Sequence, residues 1–371
     1  MEPRPADILP GPQVPWQARL TLHPLRAADL DLIVQAHAEL HPDRAGQPRY
    51  FLFDEVQNAP GWERFVRRLN DTRAGAVFVT GSSSKLLGKE IATGLRGRCL
   101  SYEVFPLSFA EYLDFLGLRH EPYSAASDAR MAAALDDYLK TGGLPEVVLA
   151  EEALRPRILH EYVDLVFYRD LVERHRLSNP VVLRELLRHC LASPASLLQP
   201  HRLYQDLRSR GLAVGKDTVY RYLGFMEEAF LIYLLPVAER SLRKQAMQPK
   251  KLHVVDWSLG YACSPGPLID RGRRLENGVF LHHRRAREDL AYLGGPEEID
   301  LVVGADRAEA WVNTAWSLSE EDTWRRESAA LRRPGGPARR ILVARETAGR
   351  AAPPGCQVVE AWRYLAGESG G

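Results

Sequence analysis

The chain has 371 residues, of which 45% are hydrophobic and 26% charged, so it is long enough for two or three domains with packed cores. A formal net charge of +1 gives no general attraction to a polyanion. The sequence has no apolar run near the roughly 18 residues of a membrane helix, no apolar secretory core at its start, and four widely spaced cysteines. We therefore expect a cytoplasmic protein with reduced thiols and no membrane partner.

The first part of the chain predicts an irregular lead-in followed by alternating strands and helices. Residues 1–24 are rich in proline and lack periodicity. The apolar run Tyr50–Phe53 ends in Asp54 and Glu55, and a second apolar run, 76–80, ends in a glycine and three serines. A helical pattern lies between the two runs. This order predicts two fully buried parallel strands whose carboxyl ends form a ligand-binding edge.

The rest of the chain divides into three further regions. Residues 116–180 are helical in pattern, which predicts a helical layer interrupted by a turn at residues 141–145. Residues 181–256 show three helical patterns followed by two apolar strands, the order of a winged helix. Residues 257–371 mix helices and strands, as a separate α/β domain does.

The segment Phe51-Leu52-Phe53-Asp54-Glu55 has the form of a Walker B motif, in which the aspartate serves a magnesium ion and the glutamate polarises a water molecule. Alone, such a segment is more often a plain strand-to-loop transition. Eight segments together closely resemble consecutive motifs of an AAA-type ATPase family that has a C-terminal domain of unknown function. They are residues 54–63, 80–87, 95–98, 106–109, 141–146, 168–170, 216–220 and 275–277. The resemblance runs from about residue 25 nearly to the end.

This resemblance implies a P-loop-type parallel sheet, with ATP and Mg²⁺ as cofactors. It also implies a magnesium-side acid, a water-activating base, a phosphate sensor and an arginine finger, at Asp54, Glu55, Ser82 or Ser83, and Arg96 or Arg98 respectively. Without the resemblance, the two arginines would be read as a solvated loop. Because AAA proteins often place an arginine finger in a neighbour's site, a homo-oligomer is also implied.

One departure from the family concerns the phosphate-binding loop, G-x-x-x-x-G-K-[ST], which should precede the first strand. The only glycines before Phe51 are Gly11 and Gly46, and the first lysine is Lys85. We therefore expect ATP hydrolysis to be lost or impaired in this chain. A truncated product and a genuine inactive derivative would both explain the missing loop, and the match from residue 25 onward favours truncation.

The winged-helix region offers a second function, non-enzymatic DNA binding or regulation. Lys216 lies at the entrance of the third helix, and Thr218 and Arg221 lie on the face opposite its apolar residues, so this helix fits a major groove. Residues 181–256 contain 12 Lys and Arg against 7 Asp and Glu, an excess suited to phosphate contacts. A winged helix used only for protein packing stays open, because two glutamates lie on the same helix.

In the C-terminal region, Glu276, Asp300 and Asn313 resemble the metal-binding positions of a restriction-endonuclease-like core. A working site needs a glutamate or glutamine where Asn313 stands and a lysine where Ala315 stands, and Asn313 is a poorer metal ligand than a carboxylate. The sequence therefore predicts a nuclease-like fold without nuclease chemistry. The expected fold is α/β, with an incomplete AAA core, a helical lid, a winged helix and a nuclease-like domain after the lead-in, at residues 25–115, 116–180, 181–256 and 257–371.

Overall fold

The computed structural model describes residues 26–44, 47–72, 75–82, 99–177, 180–263, 270–286, 289–305 and 307–368. The chain divides into two compact units between Tyr102 and Glu103, which we call unit 1 and unit 2. Within the described ranges, no helix is long and apolar enough to cross a membrane.

Unit 1 contains two parallel strands and two helices among its described residues. They are helix α1 (Ala27–Leu40), strand β1 (Tyr50–Phe53), helix α2 (Trp62–Asp71) and strand β2 (Ala76–Val79), with short 3₁₀ turns at Pro42–Arg44 and Val56–Asn58. The two strands pair in register from Tyr50 opposite Ala76 to Phe53 opposite Val79. The predicted parallel pair is therefore present.

The prediction that both strands are buried on both faces is wrong. Phe51 and Phe53 are partly buried and pack against a core that includes Phe65 of α2, whereas Leu52 is 77% exposed. Phe78 of β2 is exposed in the same way. Successive side chains of a strand point to opposite faces, and the core formed by the described helices of unit 1 covers only one of these faces.

Unit 2 begins with a group of helices. They are α3 (Phe109–Phe115), α4 (Ala125–Thr141), α5 (Pro145–Leu149) and α6 (Arg155–Leu165), and α6 runs on into a π-helical stretch, Val166–Glu173. Helix α3 starts with a capping box, in which the Ser108 hydroxyl accepts from Glu111 N at 3.2 Å and the Glu111 carboxylate accepts from Ser108 N at 2.7 Å. This exchange satisfies two amide groups that the first turn of a helix leaves without intrahelical partners.

A three-stranded antiparallel sheet with four helices follows. Its elements are α7 (Val181–Ala192), β3 (Ser196–Leu198), α8 (Pro200–Ser209), α9 (Lys216–Glu228), β4 (Ile232–Leu235), α10 (Leu242–Met247) and β5 (Lys250–Val254). Strand β5 lies in the middle and pairs antiparallel with β3 and β4. The sequence predicted only the two later strands, because three residues are too few to show a periodicity.

The last part of unit 2 is a five-stranded sheet with helices. Its elements are α11 (Leu259–Cys263), α12 (Arg271–Arg284), β6 (Leu290–Leu293), β7 (Ile299–Val303), β8 (Ala310–Ser317), α13 (Glu321–Leu331), β9 (Arg339–Glu346), β10 (Gln357–Glu360) and α14 (Ala361–Leu365). The strand order is β10-β9-β8-β7-β6. Strands β6, β7 and β8 pair antiparallel, whereas β8, β9 and β10 pair parallel.

One hydrophobic core runs through all parts of unit 2. It joins Leu135 of α4, Leu223 of α9, Leu252 of β5 and Val312 of β8, all of which are buried. A second cluster, which contains Trp311 and Leu331, packs α13 against the sheet. The regions that the sequence separates at residues 180 and 256 are therefore joined by continuous packing.

Candidate functional site

The carboxyl ends of β1 and β2 bring together side chains from two separated motifs. Thr80 follows β2, and its hydroxyl group donates a hydrogen bond to the carboxylate of Asp54, which follows β1. The Ser82 hydroxyl donates to Glu55 Oε2 at 3.3 Å. The sequence predicted this meeting of Asp54, Glu55 and Ser82, but it did not single out Thr80.

The backbone at Glu55 holds its carboxylate in this cluster. Glu55 adopts a left-handed conformation, with φ of 48° and ψ of 43°. Its amide lies 3.4 Å from the Thr80 hydroxyl oxygen, and the next amide, Val56 N, donates to Thr80 O at 3.2 Å. A left-handed backbone costs a non-glycine residue roughly 1–2 kcal/mol, so neighbouring contacts must maintain it.

Three predicted nucleotide-site residues cannot be placed in this cluster. Ser83, Arg96 and Arg98 lie outside the residues that the structure describes. The sensor role of Ser83 and the arginine-finger roles of the two arginines therefore stay predictions.

Helix α9 presents a polar, basic face to solvent. Lys216, Tyr220 and Arg221 are exposed, Thr218 is half-buried, and Val219 faces the core. The ammonium group of Lys216 lies 5.9 Å from the centre of the Tyr220 ring. The residues that the sequence assigned to DNA contact thus lie on or beside the solvent-facing side of this helix.

A charged cluster lies between β5, α12 and β7, and we call it the lysine–carboxylate cluster (Lys251, Glu276, Glu298 and Asp300). The Lys251 ammonium nitrogen lies 2.5 Å from Glu276 Oε1, 2.7 Å from Glu298 Oε1 and 2.9 Å from Asp300 Oδ1. Lys251 is only 2% exposed. The sequence singled out Glu276 and Asp300 but missed Lys251, which belongs to a different predicted domain, and Glu298.

The side-chain amide of Asn313 forms hydrogen bonds with backbone atoms of Glu298 and Asp300 and with the side chain of Glu327 in α13, rather than with Lys251. Its oxygen accepts from Asp300 N at 3.2 Å, and its nitrogen donates to Glu298 O at 3.2 Å and to Glu327 Oε2 at 2.8 Å. The second oxygen of Asp300 accepts from Thr314 N at 2.8 Å and from the Thr314 hydroxyl at 3.0 Å. Asn313 thus ties β7 to β8 and α13.

Burial and charge set the protonation of the cluster. Burial, together with the negative charge of Asp300, raises the pKa of Glu276 to about 8 against the opposing effect of Lys251. Burial alone would lower the pKa of Lys251, but Asp300, Glu276 and Glu298 outweigh it, so the Lys251 pKa lies well above its ordinary value. The surrounding acids therefore hold Lys251 in its charged form, whereas burial favours the neutral form of Glu276.

A cavity of about 610 Å³ opens beside this cluster. Glu276, Glu298 and Asp300 line it, as does Ala315. Across the described ranges, no group of three or more His, Cys, Asp and Glu side chains has the arrangement of a metal site. The cavity thus gives access to acidic side chains that already form ion pairs with Lys251.

Comparison with known proteins agrees with part of the resemblance. Residues 19–113 match the AAA domain family, and residues 132–266 match a domain of unknown function. The uncharacterized protein MJ1544 of Methanocaldococcus jannaschii is 37% identical over 280 residues, which cover 72% of this chain and 61% of that protein. An uncharacterized protein of Haemophilus influenzae is 28% identical over 274 residues, which cover 73% of this chain and 66% of that protein.

The chain spans slightly less than two thirds of the length of each of these relatives. AAA domains are nucleotide-binding domains, and the matched residues 19–113 contain both strand ends of the Asp54 cluster. Residues 19–113 are therefore similar to the AAA domain family, and residues 132–266 are similar to a domain family of unknown function.

Proposed function

We propose that this chain is an AAA-type nucleotide-binding protein that retains the magnesium side of its site and hydrolyses ATP poorly on its own. The meeting of Asp54, Glu55 and Ser82 at the ends of β1 and β2 supports the proposal most strongly. In this proposal the Asp54 carboxylate serves Mg²⁺, for which oxygen is the preferred ligand. Glu55 accepts a proton from the attacking water, and Ser82 contacts the terminal phosphate.

In this proposal, the weak hydrolysis reflects the composition of residues 1–49. A phosphate-binding loop supplies amide groups and a lysine to the β and γ phosphates, but residues 1–49 contain two glycines and no lysine. Glu55 acts only on a nucleotide that is already positioned, and positioning contributes several kcal/mol to a reaction of this kind. In the same proposal, an arginine from a second copy of the chain would complete the site, so a homo-oligomer is the assembly we expect.

Binding of ATP with Mg²⁺, measured by titration calorimetry, tests the site itself. We expect weak binding, with a dissociation constant above roughly 100 µM, or about −5.5 kcal/mol. Asp54→Ala should weaken this binding further because it removes the magnesium-side carboxylate. Asp43→Ala, which removes an exposed acid from the turn Pro42–Arg44, should leave it unchanged. Equal binding by wild type and Asp54→Ala would contradict the proposed site.

DNA binding through α9 is the second candidate function. The exposed face with Lys216 and Arg221 supports it, as does the antiparallel sheet order β3-β5-β4 next to three helices. In this reading α9 lies in a major groove, and its basic side chains contact phosphates.

Duplex binding at several salt concentrations tests this second function. Replacing Lys216 and Arg221 together by alanine should weaken binding and reduce the slope of log K against log salt by about 1 per lost phosphate contact. Lys140→Ala, an exposed lysine of α4 paired with Glu152, is the matched control and should have no effect. Binding that is absent in the wild type, or independent of salt, would exclude DNA as a partner.

For the five-stranded sheet we propose a nuclease-like fold that has lost nuclease chemistry. Glu276 and Asp300 converge beside the cavity, which supports descent from an acid pair that once bound metal. Asn313 and Ala315 do not supply the remaining carboxylate and lysine.

A further inference from the structure

The lysine–carboxylate cluster contains a buried cation whose position needs an explanation. Lys251 is almost fully buried, and its ammonium group lies within 2.9 Å of three carboxylates. Burying an ammonium group is costly unless partners surround it, and three N–H donors are all that the group has. The three acids surround the ammonium group at ion-pair distance, and Asp300 Oδ1 accepts a hydrogen bond from it at 2.9 Å.

The cluster is assembled from different parts of unit 2. Lys251 lies on β5, the central strand of the three-stranded sheet, whereas Glu276 lies on α12 and Asp300 on β7 of the five-stranded sheet. Two of these acids are the ones that the nuclease resemblance assigns to metal binding. The positive charge comes from outside the nuclease-like region.

We propose that the Lys251 ammonium group occupies the place of a divalent cation in this pocket and thereby locks the three-stranded sheet to the five-stranded sheet. The proposal concerns unit 2 alone and does not depend on nucleotide binding. It predicts that the carboxylates bind a divalent metal only after Lys251 is removed.

Competition for the same oxygen atoms supports this exclusion. A divalent cation needs carboxylate oxygens at about 2.0–2.6 Å, and the ammonium nitrogen already lies 2.5–2.9 Å from one oxygen of each acid. A metal within reach of the same oxygens would stand a few ångströms from the ammonium group, where two positive charges repel strongly. The second oxygen of Asp300 is occupied by Thr314.

Other contacts along the same boundary support the locking role. The side-chain nitrogen of Asn277 in α12 donates to Val254 O at 2.9 Å, and its oxygen accepts from Val254 N at 2.9 Å. The Tyr292 hydroxyl of β6 donates to Pro249 O at 2.5 Å, just before β5. The cluster therefore lies in a boundary where the two sheets are already held side by side.

Binding of Mn²⁺ to purified full-length chain tests the proposal, with calorimetry and thermal unfolding as readouts. Wild type should show no saturable Mn²⁺ binding that depends on Asp300. Lys251→Met should be less stable than wild type in EDTA, should bind one Mn²⁺, and should gain roughly 5 °C or more in Tm at saturation. Asp300→Asn in the Lys251→Met background should abolish this gain.

Two further variants make the result decisive. Lys250→Met replaces the neighbouring exposed lysine of β5 and should behave as wild type. The double variant Lys251→Met with Glu276→Gln removes the ammonium group and one of the three acids. With one acid fewer, the remaining acids repel each other less than they do in Lys251→Met. This variant should bind Mn²⁺ through Glu298 and Asp300. The proposal fails if wild type binds Mn²⁺ through Asp300, or if both Lys251 variants fold and bind none. The proposal also fails if neither of the two variants that lack Lys251 folds in the presence of Mn²⁺. In that case, a metal ion could not take the place of the Lys251 ammonium group.

Discussion

Glu276 shows how strongly one buried side chain responds to its partners. Its pKa of about 8 lies above the value of roughly 4.3 expected in an unfolded chain, so folding raises the affinity of this carboxyl group for a proton. The stability that this protonation contributes is complete below about pH 4 and is lost as the pH rises towards 8. Glutamine at this position remains neutral throughout.

We therefore expect the free energy of unfolding of the wild type to fall, relative to that of Glu276→Gln, between about pH 5 and pH 8. The relative loss should be at most about 1.4 kcal/mol per pH unit. Urea unfolding of both proteins at pH 5.5 and pH 8 measures it. Parallel pH profiles would show that Glu276 is not protonated in the folded protein.

At the scale of single residues, the sequence predicts the acidic residues of a site better than it predicts the residues that contact them. Asp54 and Glu55 end one predicted strand and Ser82 follows the next, so strand order alone brings them together. Lys251 gives no comparable signal, because a lysine at the start of an apolar strand is usually solvated. Only the contact of β5 with α12 and β7 explains its burial.

Among the elements, the turn between α4 and α5 explains a motif that the sequence could only mark as a turn. Gly142 has φ of +84°, and a Cβ there would lie 2.3 Å from Asp256 Oδ1. The buried Asp256 carboxylate accepts from Gly143 N at 2.7 Å and from Ser258 N at 2.8 Å. The turn is thereby fixed to the segment that follows β5.

Gly142→Ala should cost roughly 2–5 kcal/mol, because it combines an unfavourable left-handed backbone with a collision against Asp256. Gly211→Ala is the matched control, since its φ of +80° is similar and nothing lies within 4 Å of the added methyl group. It should cost only about 1–2 kcal/mol. Equal losses in urea unfolding would mean that the Asp256 contact does not constrain the turn.

Helices of this chain were easier to predict than strands. Long apolar periodicities mark α7, α8 and α9, whereas β3 has only three residues and leaves no pattern. The apolar composition of β1 and β2 predicted burial on both faces, yet Leu52 and Phe78 are exposed. Apolar runs in the sequence predict the order of strands along the chain. Which face of each strand is buried depends on where the helices pack, and the run itself does not show this.

At the scale of the whole molecule, the two units differ in how much of their structure the sequence predicted. Unit 2 shares one core from Leu135 to Val312 and beyond, so its predicted lid, winged-helix and nuclease-like regions pack as one body. Composition alone could not predict this continuity, because each region has its own helices and strands. In unit 1, motif order predicted the resemblance to AAA domains, and residues 19–113 match that family.

Turnover of ATP with Mg²⁺ by wild type and Glu55→Gln tests the central claim, a nucleotide site without efficient hydrolysis, most directly. Because residues 1–49 contain two glycines and no lysine, the proposal predicts that this polypeptide turns ATP over well below the roughly 1 s⁻¹ at the lower end of typical enzymes. Removing the base should then change the rate little. Wild-type turnover at or above that level, abolished by Glu55→Gln, would contradict the claim.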